Sequence, residues 1–159
     1  MLDLSFAVIL IGGNMIYTKL TVKAMQIAYA AHHGQTDING VPYIFHPYHV
    51  AEQMDDEYSV CAALLHDVVE DTCVTIKELE EIFPPEVTEA VRLLTHDEDV
   101  SYEDYIGAIK QDQIARKVKK ADLAHNSDQS RIVDSSAVPE EKLERWREKY
   151  ALARKLLEK

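Results

Sequence analysis

Cysteine is scarce in this chain. Cys61 and Cys73 are too few for a disulfide scaffold and read as buried or semi-buried thiols. Glycine and proline number five each and fall mostly between apolar-periodic segments. Alternating strand patterns are also scarce, which leaves an all-α domain as the expected architecture. Basic residues are outnumbered, 17 Lys and Arg against 28 Asp and Glu, for a formal net charge of −11. That balance excludes a broad grip on a nucleic acid polymer, which needs many cations against phosphates. It leaves room for one small phosphorylated ligand, because a local site and a metal override the global field. The apolar run from Phe6 to Ile11 is too short to cross a bilayer and lacks the basic flank of a signal peptide. No membrane partner is implied, and the expectation is a cytoplasmic protein.

At 159 residues the chain is long enough for one domain with a real core. Gly12-Gly13-Asn14 breaks the first apolar run, and Met15 reads as a second start. Residues 1–14 are therefore expected to form an N-terminal arm ahead of a domain over 15–159. Such an arm is compatible with a homodimer. About eight helices are expected. The first runs from Thr18 to His32, with a stripe of Leu20, Ala24, Ile27, Ala28 and Ala31. A loop follows, with a turn at Asn39-Gly40. A second helix carries Pro47 in its first turn, where a missing N–H costs nothing. Glu57 to Val69 reads as a continuous central helix. Thr75 with Glu78 forms a capping box, Pro85 opens the next helix, and Ser101 caps another. Asp112 or Gln113 opens a further helix, and Pro139 starts a charged terminal one.

Chemistry concentrates in Ala62-Ala63-Leu64-Leu65-His66-Asp67-Val68-Val69-Glu70-Asp71-Thr72. A histidine and three carboxylates follow an apolar run within six residues. Carboxylates beside a buried histidine are normally paired or bound to metal. In a helix His66 and Glu70 share one face, as do Asp67 and Asp71. His66 and Asp67 can both reach one ion from neighbouring faces. Imidazole nitrogen with carboxylate oxygen suits a divalent ion such as Mn, Fe or Zn. The competing reading is a helix end with solvated acids. Two further places stand out, Tyr43-Ile44-Phe45-His46-Pro47 and Lys119-Lys120-Ala121-Asp122-Leu123-Ala124-His125-Asn126.

Taken in order, His46, His66-Asp67 and Asp122 resemble the H…HD…D signature of the HD superfamily of metal-dependent phosphohydrolases. More narrowly, the chain resembles the hydrolase domain of the Rel/SpoT alarmone enzymes and their stand-alone small relatives. The matching stretches are Ala31-His32-His33-Gly34-Gln35, Pro42-Tyr43-Ile44-Phe45-His46-Pro47 with Val50-Ala51, Ala63 to Thr72, and Lys120 to Asn126, and the resemblance spans about Thr18 to Asn126, roughly two thirds of the chain. The resemblance implies an all-α HD-domain helical bundle. It also implies one divalent metal, Mn²⁺ first with Fe, Zn, Co or Mg as alternatives, held by His46, His66, Asp67 and Asp122. Glu70 and Asp71 would manage the attacking water and the leaving-group proton. Asn126, Gln35 and Thr72 would meet the nucleotide. The implied reaction is hydrolysis of the 3′-pyrophosphate of guanosine 3′,5′-bis(diphosphate), ppGpp. The alternatives are another HD nucleotidase or phosphodiesterase, or a nucleotide-binding regulator without turnover. One stretch departs from the family. Where alarmone hydrolases carry an Arg-Lys-Ser-Gly-like run, this chain has Thr36-Asp37-Ile38-Asn39-Gly40, which neither stacks a guanidinium nor neutralises phosphate.

The remaining singletons read as structural. His32 and His33 cap or pack the first helix end. His49 and His125 support the site or the surface. His96 lies in an exposed loop that is also a candidate lid. Tyr43 and Phe45 read as core, and Trp146 as a core anchor of the last helix. Lys117, Lys119, Lys120, Arg116 and Arg131 are candidates for compensating positive charge, with a solvated helix face as the usual reading of the lysines.

Overall fold

The computed structural model describes residues 15–134, 136 and 138–158. The arm expected over 1–14 lies outside the described residues. Among the described residues nine α-helices follow one another: α1 (Lys19–Ala31), α2 (Phe45–Glu52), α3 (Glu57–Leu65), α4 (Val68–Asp71), α5 (Ile76–Glu80), α6 (Pro85–Leu94), α7 (Tyr102–Gln111), α8 (Gln113–Asn126) and α9 (Glu140–Glu158). A 3-10 turn at Gln129–Arg131 lies between α8 and α9. Among the described residues the β-type pairing is limited to one isolated antiparallel bridge, Thr36 with Pro42. The all-α expectation holds.

The caps explain the boundaries. Thr18 accepts from Thr21 N, Thr75 and Glu78 form the expected capping box, and Ser101 and Asp112 each accept from the third residue beyond. Gly40 adopts φ +77°, the left-handed conformation the Asn39-Gly40 turn requires. The central segment differs from expectation. It does not run as one helix from Glu57 to Val69. It breaks at His66-Asp67, and the single turn α4 resumes the chain at Val68. The Ala63 carbonyl takes a hydrogen bond from His66 Nδ1 at 2.6 Å, so a side chain occupies an acceptor at the helix end.

α3 is the axis of the core. Ser59 to Leu65 are all buried, because α1, α2, α6 and α8 pack around this helix from different sides. A helix covered all round needs apolar residues all round, which is what Val60-Cys61-Ala62-Ala63-Leu64-Leu65 supplies. Its alanines let the neighbours approach closely. α7 and α9 close over α8, with Leu143, Ala153 and Leu157 of α9 buried. Two residues depart from expectation. Phe45 is 59% exposed, because α2 turns His46, Pro47, Val50 and Ala51 inward and leaves its first residue outside. Cys73 is exposed beyond the end of α4, while Cys61 is buried as expected.

Asp56 fixes the start of α3. Its carboxylate accepts from Ser59 N at 2.8 Å and Ser59 Oγ at 2.7 Å, and pairs with Lys117 of α8 at 2.8 Å. Burial pushes this carboxyl up, but the hydrogen bonds from Lys117 and Ser59 outweigh it and hold it at about 2. The folded value lies below the unfolded one, so the stabilisation is full above about pH 4 and disappears as the pH falls through about 2. Asp56→Ala should cost about 1 kcal/mol in urea unfolding at pH 7. It should also flatten the stability–pH curve between those limits.

Candidate metal centre

Three segments deliver the inward-facing polar groups. His46 comes from the first turn of α2, His66 and Asp67 from the break after α3, and Asp122 from α8. The break is what turns two adjacent side chains to one point. His66 Nε2 lies 3.0 Å from Asp67 Oδ2, a contact between neighbours that a continuous helix fans apart.

His46 Nε2 lies 3.3 Å from His66 Nε2, 3.2 Å from Asp122 Oδ1 and 3.6 Å from Asp67 Oδ2. His66 Nε2 is 3.8 Å from Asp122 Oδ1. Ligand atoms of His46, His66 and Asp122 lie within 4.8 Å of one another, and all three residues are buried. Donors about 2.1 Å from a shared ion stand roughly 3.0–3.4 Å apart in tetrahedral or neighbouring octahedral positions. The separations of 3.0, 3.2 and 3.3 Å fall in that range, and those of 3.6 and 3.8 Å lie just beyond it. The donor chemistry fits as well. His66 gives its Nδ1–H to the Ala63 carbonyl, which leaves the Nε2 lone pair directed at the centre. Two imidazoles and two carboxylates form a set suited to a divalent ion.

The surrounding residues hold these donors in place. Lys119 Nζ pairs with Asp122 Oδ2 at 2.9 Å, and Asn126 Nδ2 donates to Asp122 Oδ1 at 2.6 Å. Burial pushes the Asp122 carboxyl up, but Lys119 and the His46 and His66 hydrogen bonds pull it well below the usual range. Burial opposes charge on His66, yet Asp67 and Asp122 outweigh it and raise the imidazole. His46 Nδ1 meets His125 Nδ1 at 2.7 Å, and the His49 ring packs tilted against His125 with centroids 4.4 Å apart. The Tyr43 hydroxyl donates to Asp67 Oδ2. Burial and then Asp67 raise its phenol, so it stays a donor.

Glu70 and Asp71 sit on α4, immediately past the break. Glu70 Oε2 accepts from the His96 N–H at 2.7 Å, which pins the loop between α6 and α7 to the site. Asp71 is raised, first by burial and then by Asp67 and Glu70. Gln35 bridges His32 Nδ1, at 2.8 Å, and the Asp71 carbonyl, at 3.1 Å. The Thr72 hydroxyl donates to Val68 O and accepts from Val74 N, so it serves the backbone. Asn126 lines a cleft of about 410 Å³ that also reaches His46, Tyr43, Arg131, Trp146 and Tyr150.

The sequence reading missed two supporting residues. Tyr43 was assigned to the core, and its position ahead of α2 carries no periodic signal that it reaches Asp67. Lys119 was assigned to solvent, yet its side chain is only 14% exposed. Its place three residues before Asp122 on one helix was the available signal. Lys119→Met should leave Asp122 without its countercharge and cost about 3–5 kcal/mol in urea unfolding of the metal-free protein.

Known proteins share sequence and fold with this chain. The bifunctional (p)ppGpp synthase/hydrolase SpoT of Escherichia coli is 36% identical over 119 residues, 65% of this chain and 17% of that protein. A guanosine-3′,5′-bis(diphosphate) 3′-pyrophosphohydrolase of Shigella flexneri matches to the same extent. The chain thus spans 17% of the length of these curated relatives. A solved structure described as a metazoan ortholog of SpoT that hydrolyzes ppGpp and plays a role in starvation responses superposes with a TM-score of 0.70. Its identity is 25%, and 88% of each chain is covered. Residues 24–137, which contain all four converging donors, match the family described as HD domain, and the chain belongs to that family.

Proposed function

We propose that the protein is a divalent-metal phosphohydrolase acting on a small phosphorylated nucleotide, with ppGpp as the leading substrate and pyrophosphate as the released product. The observation that carries this reading is the convergence of His46, His66, Asp67 and Asp122 on one point beside Glu70 and Asp71. Those four residues would hold the metal, with Mn²⁺ as the first choice. A divalent cation there supplies the charge that acidifies a nearby water and offsets negative charge on phosphate.

The chain's own groups divide the remaining work. Tyr43 keeps Asp67 oriented by donating to its Oδ2, and Lys119 and Asn126 do the same for Asp122. Glu70, held by the His96 N–H, orients the attacking water. Asp71, with its raised carboxyl, accepts a proton from that water as it attacks the phosphorus and returns it to the ribose 3′-oxygen as the P–O bond breaks. The half-open cleft lined by Asn126, Trp146 and Tyr150 receives the nucleoside. The comparisons support this substrate class, since the relatives' names carry (p)ppGpp hydrolysis. Asp37, standing where alarmone hydrolases carry a cation, favours as second reading a different phosphorylated nucleotide on the same centre.

The test is phosphate and pyrophosphate release by metal-free protein reconstituted with Mn²⁺, over ppGpp, GTP, nucleoside monophosphates and a phosphodiester. Pyrophosphate from ppGpp is expected. Asp67→Ala should abolish it. Glu70→Gln and Asp71→Asn should each lower kcat by about 10²-fold or more. Full activity in Asp67→Ala would sink the proposal, and turnover of another member with ppGpp inert would select the second reading.

A further inference from the structure

The cleft beside the metal centre has very little positive charge for a site that takes a polyanion. Among the described residues lining it, Arg131 is the one Lys or Arg; Arg147, paired with Glu140, and Arg154 line the neighbouring hollow instead. It also lines the adjoining hollow formed with Tyr43, His46 and His125. Asp37 and Asp128 share the rim of the cleft. A phosphorylated nucleotide entering there meets more carboxylate than cation unless Arg131 turns toward it.

Arg131 is also placed with care. Its Nη1 donates to the His125 carbonyl at 3.1 Å, and its Nη2 stands 3.6 Å from Asp37 Oδ2. The second contact is long for a charge-assisted hydrogen bond, and about a third of the side chain is exposed. The loop around Asp37 is tied to the turn that carries Arg131. Asn39 Nδ2 donates to the Arg131 carbonyl at 2.8 Å, and Val133 N donates to Asn39 Oδ1 at 3.4 Å. Asp37 Oδ1 accepts from Asn39 N and Val41 N, which fixes the loop's own shape. The loop that lacks cations of its own therefore buckles onto a neighbouring segment that supplies one.

We infer that Arg131 is the residue that receives a phosphate group of the substrate. In this chain it takes the place of the cationic loop, with Asp37 as its resting partner and Asn39 as the residue that positions its turn. The inference rests on the phosphohydrolase reading and deepens it. A phosphate offers two oxygens to the guanidinium fork, and a single carboxylate oxygen at 3.6 Å does not match that. Binding then exchanges a weak internal pair for a bidentate one. Asp37 restrains the empty site and discriminates against ligands without enough negative charge to displace it.

Steady-state kinetics with ppGpp on Mn²⁺-loaded protein test this. Arg131→Ala should raise KM by about 10- to 100-fold, with kcat changed far less, as loss of a charged hydrogen-bond donor made equally in ground and transition states requires. Arg131→Lys should recover only part of that loss. Asp37→Asn keeps the Oδ1 acceptor for the loop while removing the competing charge, so it should lower KM. Melting temperature and Mn²⁺ affinity should stay at wild-type values in all three. KM within twofold of wild type in a folded Arg131→Ala protein would overturn the inference and leave the phosphohydrolase reading standing. If the wild type does not turn over ppGpp, GDP binding by calorimetry decides. Affinity that Arg131→Ala loses upholds the inference although the substrate reading has failed, and equal or absent binding in both proteins overturns it.

Discussion

Asp122 carries its charge where water reaches almost none of it. A buried carboxylate is expensive unless several partners offset the lost hydration. Here Lys119 takes one oxygen, while Asn126, His46 and His66 converge on the other. The two imidazoles are in turn held by other groups. His66 leans on the Ala63 carbonyl, His46 on His125, and His125 on His49. The site is thus built outward from one charge, through contacts that reach α2, α3 and α8 and link the helices of the core.

The broken central helix follows from the same demand. An apolar helix buried on all sides gives the bundle its axis, but it cannot also aim two adjacent polar side chains at one point. Ending α3 at Leu65 allows His66 and Asp67 to turn inward together, and α4 then lifts Glu70 and Asp71 toward the cleft. The domain gives up helical continuity at this one place, and the departure coincides with the chemistry.

Much of the helix inventory was legible because caps and breakers are local. Thr18, Thr75, Ser101, Asp112 and Pro85 mark starts that side-chain hydrogen bonds or ring geometry dictate. The converging His46, His66, Asp67 and Asp122 were legible through a resemblance and through residue chemistry, not through periodicity. The break at His66-Asp67 was not legible, since the run from Glu57 to Val69 holds no glycine or proline to mark it. Tyr43 and Lys119 were misread for a related reason. A tyrosine ahead of a helix and a lysine on a charged one look ordinary until the fold brings Asp67 and Asp122 beside them. Phe45 was misread because one residue at the edge of a helix can face either way.

The central claim is that these buried donors exist to hold one divalent ion. The most direct measurement is an equilibrium Mn²⁺ titration of metal-free protein, followed by electron paramagnetic resonance, for wild type and His66→Ala. Partners that merely orient a ligand cost about 10–100-fold in metal affinity when removed, so loss of a direct ligand should cost more. One saturable ion per wild-type chain is expected, with a loss beyond about a hundredfold in the variant. No saturable binding by the wild type, or equal affinity in the folded variant, would contradict the claim.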